Sequence, residues 1–250
     1  MSVSNVAEAR RVPRMNGQVQ RICVWSAPAG FVFILAGLLS ASWLPFPSPT
    51  QTAAQVGLFY LDHASGARLA SALLMAGAAL LAPMAAVLAV HIRRVEGEFS
   101  PLAYLQVGMG CASSLAVSIT AMFWWTAAFR PKQDPEITQS WHDAGWLCFT
   151  ATVFIAIIQL ATVVLASFTD THERPVFPRW SGYLSLWVII LALPSVGCLW
   201  FKTGPLAWNG ALSLYLAFAA FGTWFISMMA VLLKAIAEQE AELKSSHSPA

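Results

Sequence analysis

Six long apolar stretches, parted by short polar connectors and free of ionisable residues through their middles, take up most of this chain. A bilayer core of about 30 Å takes roughly 20 helical residues to cross, and backbone in hydrocarbon has to satisfy its own hydrogen bonds. Six such segments predict an all-α membrane protein, a six-transmembrane-helix bundle. Apolar runs and polar ends place the spans at about 22–46, 66–91, 102–129, 143–168, 181–200 and 209–236, with tails over 1–21 and 237–250.

The chain is 58% hydrophobic and 10% charged, against a soluble average of about 25% charged. No soluble domain is expected. A net charge of +2, with no basic stripe outside the membrane flanks, argues against nucleic acid as a partner. Membrane lipids, a small apolar ligand, or further subunits in a homo- or hetero-oligomer are the partners to expect.

Lys and Arg near span ends are retained on the cytoplasmic face. Arg10, Arg11, Arg14, Arg21, Arg93, Arg94, Arg174, Arg179, Lys234 and Lys244 fall on the side of the termini, and Arg68, Arg130, Lys132 and Lys202 fall opposite. Six crossings put both ends on one side, and ten cations against four predict cytoplasmic termini in a cell inner membrane. The first 21 residues lack the short apolar core and cleavage site of a secretory signal, so the first span is expected to be an uncleaved anchor.

Trp43, Trp124, Trp125, Trp141, Trp146, Trp200 and Trp208 fall at or near outer span ends. Amphipathic rings favour that level, so they form either an anchoring belt or an aromatic vestibule over a binding site. Helices in lipid associate through small residues. Ala72, Ala76 and Ala79 on the second span, with Gly108, Ala112, Ala116 and Thr120 on the third, predict a tight crossing of those two. Pro83 and Pro194, within the second and fifth spans, predict kinks. Their placing fits either an inverted repeat of two three-helix halves or independent bends.

A charge at membrane depth is costly and usually functional. None lies in the central part of a span, which argues against a proton or sodium relay and a voltage sensor. The strongest polar group there is Gln159, with Ser118, Thr120 and Thr162 as weaker companions. It is expected either to make an interhelical hydrogen bond or to touch a substrate.

Outside the membrane, Asp62 and His63 precede the second span, Arg68 begins it, Arg130 ends the third, and His142 with Asp143 opens the fourth. Imidazoles beside carboxylates can bind a metal or move protons. The competing reading is structural, with Ser140, Trp141, His142 and Asp143 as a capping box and Asp62 capping the second helix. No metal-ligand spacing appears, and no cofactor is predicted. Haem held between facing helices would need histidines a turn or two inside them, whereas His63, His142, His91 and His172 stand at span ends or in loops and His247 in the tail. Cys23, Cys111, Cys148 and Cys198 read as small buried hydrophobes, with Cys148 and Cys198 both in the outer half.

In the first outer loop, Pro45, Pro47 and Pro49 stiffen the exit, and Thr50 is expected to cap a short helix over 51–61 that lies on the interface or folds over the bundle. The sixth helix is expected to run past the membrane through Glu240 and Lys244, a pair at supporting spacing. Two connectors are distinctive. The inner one reads Phe177, Pro178, Arg179, Trp180, Ser181, Gly182, Tyr183, and the outer one runs from Phe201, Lys202, Thr203, Gly204 and Pro205 to Ala207, Trp208, Asn209 and Gly210. Arg179 and Trp180 read as an anchor and Pro205 and Asn209 as a turn and cap for the sixth helix, the alternative being that Lys202, beside Trp200 and Trp208, attracts an anionic headgroup. In these motifs, and in the proline-rich exit with its short helix, the chain resembles an uncharacterised group of six-helix bacterial membrane proteins. The resemblance spans most of the chain and implies a fold and a location, with no activity attached.

For function, richness in aromatics and poverty in charge favour a non-enzymatic carrier, permease component or binding protein for a small apolar molecule or lipid. The alternatives are a membrane-bound enzyme or enzyme subunit using the outer His/Asp cluster, and a structural accessory subunit.

Overall fold

A computed structural model describes residues 15–245 of the 250. Arg10, Arg11, Arg14 and His247 lie outside the described residues. Among the described residues the chain is all helix and loop. Six helical segments are long and apolar enough to cross a membrane, so the protein is a polytopic helical bundle. Ile22 is 70% exposed, Trp187 61% and Ile226 69%, surfaces that lipid rather than water has to cover.

The first span is helix α1 (Met15–Ser40). It starts about two turns before the expected point, and its first turns project beyond the apolar stretch. The second is α2 (Ala53–Glu96), and the third is α3 (Pro101–Phe129). The fourth is built of α4 (Pro135–Ala151) and α5 (Val153–Thr169), separated at Thr152. The fifth is α6 (Arg179–Ala192) continued by a 3₁₀ segment, Leu193–Leu199. The sixth opens with a π-helical turn, Ala211–Tyr215, and continues as α7 (Leu216–Ser245).

Three expectations about the loops are corrected. The short outer helix and the second span are one helix, with His63 the non-helical residue inside it (φ −118°, ψ 16°). Asp62 therefore sits in mid-helix and caps nothing. The cap is Thr52, whose hydroxyl accepts from the Gln55 amide (3.3 Å) while the Gln55 side chain accepts from the Thr52 amide (2.9 Å). The helix of the fourth span likewise starts eight residues before Asp143, at Pro135. Asp134 caps it by accepting from the Glu136 amide (2.8 Å), so no capping box exists at 140–143. The sixth span opens after Gly210, without a side-chain cap from Asn209. Pro205 is the effective partner, its carbonyl accepting from the Leu212 and Ser213 amides at 3.1 and 3.2 Å.

The packing of the second span uses a different face from the alanine row. Ala72, Ala76 and Ala79 are exposed, and Gly108 has no neighbour that an added Cβ would meet. The buried face of α2 carries Ala67, Ala70, Ser71, Leu74, Gly77 and Ala78. A Cβ on Gly30 or on Gly77 would lie 2.7 Å from the other's carbonyl oxygen, so α1 and α2 meet backbone to backbone. Extensive contact of α2 with α3 is present too, and it passes through Ala85 and Gly110. Cysteine burial also differs from expectation, since Cys198 is buried, Cys23 and Cys148 are half-buried, and Cys111 is exposed.

The prolines behave unequally. Residues around Pro83 keep helical backbone angles, as do those around Pro28 in α1, whereas Pro194 opens the 3₁₀ segment. At the face of the termini, α7 extends past the apolar stretch as expected and is clamped by partners other than Lys244. Arg21 pairs with Glu240 (2.8 Å) and Arg94 with Glu242 (2.9 Å). Beneath these, fully buried His91 shares a hydrogen bond with Gln20 Oε1 (3.1 Å). In the connector after α5, Asp170 accepts from the His172 and Val176 amides (3.0 and 2.7 Å) and from the His172 ring. Burial opposes ionisation of Asp170, but these donors outweigh it and hold the carboxyl below its usual range.

Candidate functional site

Local backbone chemistry aims the aromatic residues of the face opposite the termini inward. Ser42 takes a left-handed conformation (φ 57°) just past α1, and the Trp43 amide donates to the Leu38 carbonyl (3.1 Å). This C-terminal close turns Trp43 back into the bundle. There it meets Trp124 of α3 (centroids 4.6 Å apart) and Trp146 of α4 (5.6 Å), which lie 4.7 Å from each other. All three are at most 1% exposed. Trp208 is also buried, its indole N–H donating to the Pro47 carbonyl (2.9 Å). The belt reading therefore suits Trp125, Trp141 and Trp200, which are exposed, while four of the seven rings are interior.

Below this cluster, toward mid-depth, lies an apolar cavity of about 190 Å³. Phe31, Leu81, Ala116, Ala156 and Ala217 contribute from five spans, and Ser195 from the remaining one. Phe149 and Phe218 line the cavity too, and both pack against the aromatic cluster, Phe149 on Trp124 (5.7 Å) and Phe218 on Phe46 (6.2 Å).

Three of the six spans lose regular α geometry at its wall. Helix four breaks at Thr152, whose hydroxyl donates to the Cys148 carbonyl (2.7 Å). The fifth tightens to 3₁₀ at Pro194. The sixth widens at the π turn, where the Leu216 amide reaches back five residues to Ala211. Irregular backbone at membrane depth is tolerated where it is buried or lines a cavity, and π-type turns cluster at functional sites. The fifth and sixth spans brace each other, Ser195 donating to the Ser213 carbonyl (2.6 Å) and Ser213 to the Pro194 carbonyl (3.2 Å).

The residues singled out in the sequence have separate partners. His142 is 2% exposed and shares a 3.1 Å hydrogen bond between its Nδ1 and the Tyr60 hydroxyl. Asp143 follows it, half-buried. His63 stacks on Phe59 of its own helix (4.8 Å), and Asp62, Arg68 and Arg130 are exposed, with Arg68 donating to the Ala64 carbonyl. His172 is tied to Asp170 and His91 to Gln20. No group of three His, Cys, Asp or Glu among the described residues stands close enough to hold a metal ion.

Gln159 accepts from Ser113 of α3 (3.2 Å). The sequence reading missed Gln106, which is fully buried and accepts from Thr162. Its place five residues into α3 resembles a polar span end. Thr150 carries no sequence signal that would single it out.

No family model matches the chain, and no curated protein or solved structure matches it.

Proposed function

We propose that this chain is a non-enzymatic carrier, permease component or binding protein for a small apolar molecule or lipid. The carrying observation is the cavity framed by three coincident breaks in helical geometry, since a bundle selected for packing alone gains nothing from interrupting three spans at one place. The wall is almost wholly apolar and holds no ionisable side chain, which suits a ligand that partitions into the membrane. We further place the protein in the cell inner membrane with its tails in the cytoplasm, supported by the excess of Arg and Lys at the face of the termini. Membership of the six-helix group, carried by the two connector motifs, belongs to the same reading.

Native mass spectrometry of protein released from mild detergent tests the binding claim. The wild type is expected to retain one molecule beyond exchangeable bilayer lipid. Ala116→Phe and Ala217→Phe, which push side chains into the cavity from different helices, are each expected to lose it. A wild-type chain carrying only exchangeable lipid, or the same retained mass in both variants, contradicts the reading.

A further inference from the structure

Five hydroxyls stand in the cavity wall, and their partners divide them. Ser113 donates to Gln159, Thr152 to the Cys148 carbonyl, and Ser195 and Ser213 to the reciprocal carbonyls of the fifth and sixth spans. Thr150 is the exception. It is 4% exposed, and its Oγ1 has no partner among the described residues.

That is unusual for a helical threonine, which ordinarily donates to the carbonyl four residues back. Thr126, Thr138, Thr152, Thr169 and Thr223 all do so in this chain, and the other buried helical threonine without a partner among the described residues, Thr120 of α3, stands outside the cavity lining. A hydroxyl buried without a partner is costly, so one that lines a cavity marks a place for a ligand atom. The other hydroxyls of the wall say which kind. Their protons are committed to protein acceptors, so among the described residues Thr150 holds the uncommitted hydroxyl proton of the lining. The complement to an uncommitted proton is an acceptor.

We propose that the occupant of the cavity is an apolar molecule bearing a carbonyl oxygen, held with that oxygen toward Thr150 and its apolar body toward Ala156, Leu214 and Phe225. The inference rests on the binding reading above and names the ligand class within it. Size fits, because an apolar cavity of about 150 Å³ is enough for benzene, so 190 Å³ takes a single ring system or a short length of chain. The oxygen sets orientation, and the apolar wall supplies the attraction. A membrane quinone and an ester-bearing lipid share this chemistry.

The test is competition against adamantyl diazirine, a photoreactive hydrocarbon cage, read by mass spectrometry of the labelled segment 149–156. The competitors are adamantanone and adamantane, which differ in the carbonyl, and their ratio is compared across variants so that partition into detergent cancels. Relative to its value in Thr150→Val, the wild-type ratio is expected to favour the ketone about fivefold, a typical worth of one hydrogen bond. Thr150→Val should abolish that preference while labelling persists, and Thr150→Ser should keep it. An unchanged ketone preference in Thr150→Val overturns the inference and leaves the cavity reading standing. Absence of labelling in the wild-type segment overturns both. Among co-purified molecules in organic extracts, a quinone or a carbonyl-bearing lipid is expected, and a pure hydrocarbon contradicts the assignment.

Discussion

Trp124→Ala is expected to destabilise the protein by about 3–5 kcal/mol, the usual range for removing a large buried aromatic side chain. Trp124 is fully buried and packs its ring at a tilt against Trp43, Trp146 and Phe149. Each such aromatic pair adds about 0.5–1.5 kcal/mol beyond burial. For a chain of this size the change corresponds to a fall in Tm of roughly 10 °C, measurable by thermal unfolding in detergent. Trp200→Ala serves as the control, because Trp200 is 73% exposed and belongs to the rim. Equal, small shifts in the two variants contradict the interior cluster and return Trp124 to a lipid-facing belt.

The second large effect is a difference of sign between two identical changes. A Cβ on Gly66 would overlap the Ser40 carbonyl oxygen, and a backbone atom at the end of α1 has little room to yield. Gly66→Ala is expected to cost about 1–3 kcal/mol, as overpacking does. At Gly108 nothing lies within reach of an added Cβ, and Gly108→Ala is expected to stabilise the helix by up to about 1 kcal/mol. Chemical unfolding in mixed micelles compares the two directly. Shifts of the same sign would place the crossing of α1 and α2 elsewhere.

Why these positions had to be seen rather than read is a matter of solvent. In water, hydropathy separates the buried face of a helix from the exposed one, whereas in lipid both faces are apolar. Span number was legible because length and charge exclusion fix it. The facing of Ala72, Ala76 and Ala79 was not, because an alanine row looks the same toward lipid as toward a partner helix. The break expected between the short helix over 51–61 and the second span is absent for a related reason. Gly66 serves the close approach of α1, and the chain absorbs the local distortion at His63 without leaving the helix.

The connectors were the most legible part, though not the partners within them. Gly204 takes a left-handed angle (φ 79°), and Pro205 does organise the start of the sixth span. It acts through its carbonyl rather than with Asn209 as a cap. The candidate site was legible only as ingredients. Pro194 announced an irregular fifth span, and the outer tryptophans were located by depth. The break at Thr152, the π turn at Ala211–Tyr215 and the unpartnered Thr150 arise from contacts between spans, which no local pattern carries. The charged cluster drew attention because charge stands out in a membrane sequence, yet Asp62, Arg68 and Arg130 point outward.

A density map of the protein extracted together with its native lipids tests the central claim most directly. The account predicts non-protein density between Thr150, Ala156, Ser195 and Leu214, with the fourth, fifth and sixth spans interrupted around it. Regular α-helix through Thr152, 193–199 and 211–215, with Phe149 and Phe218 closing the space, would contradict it.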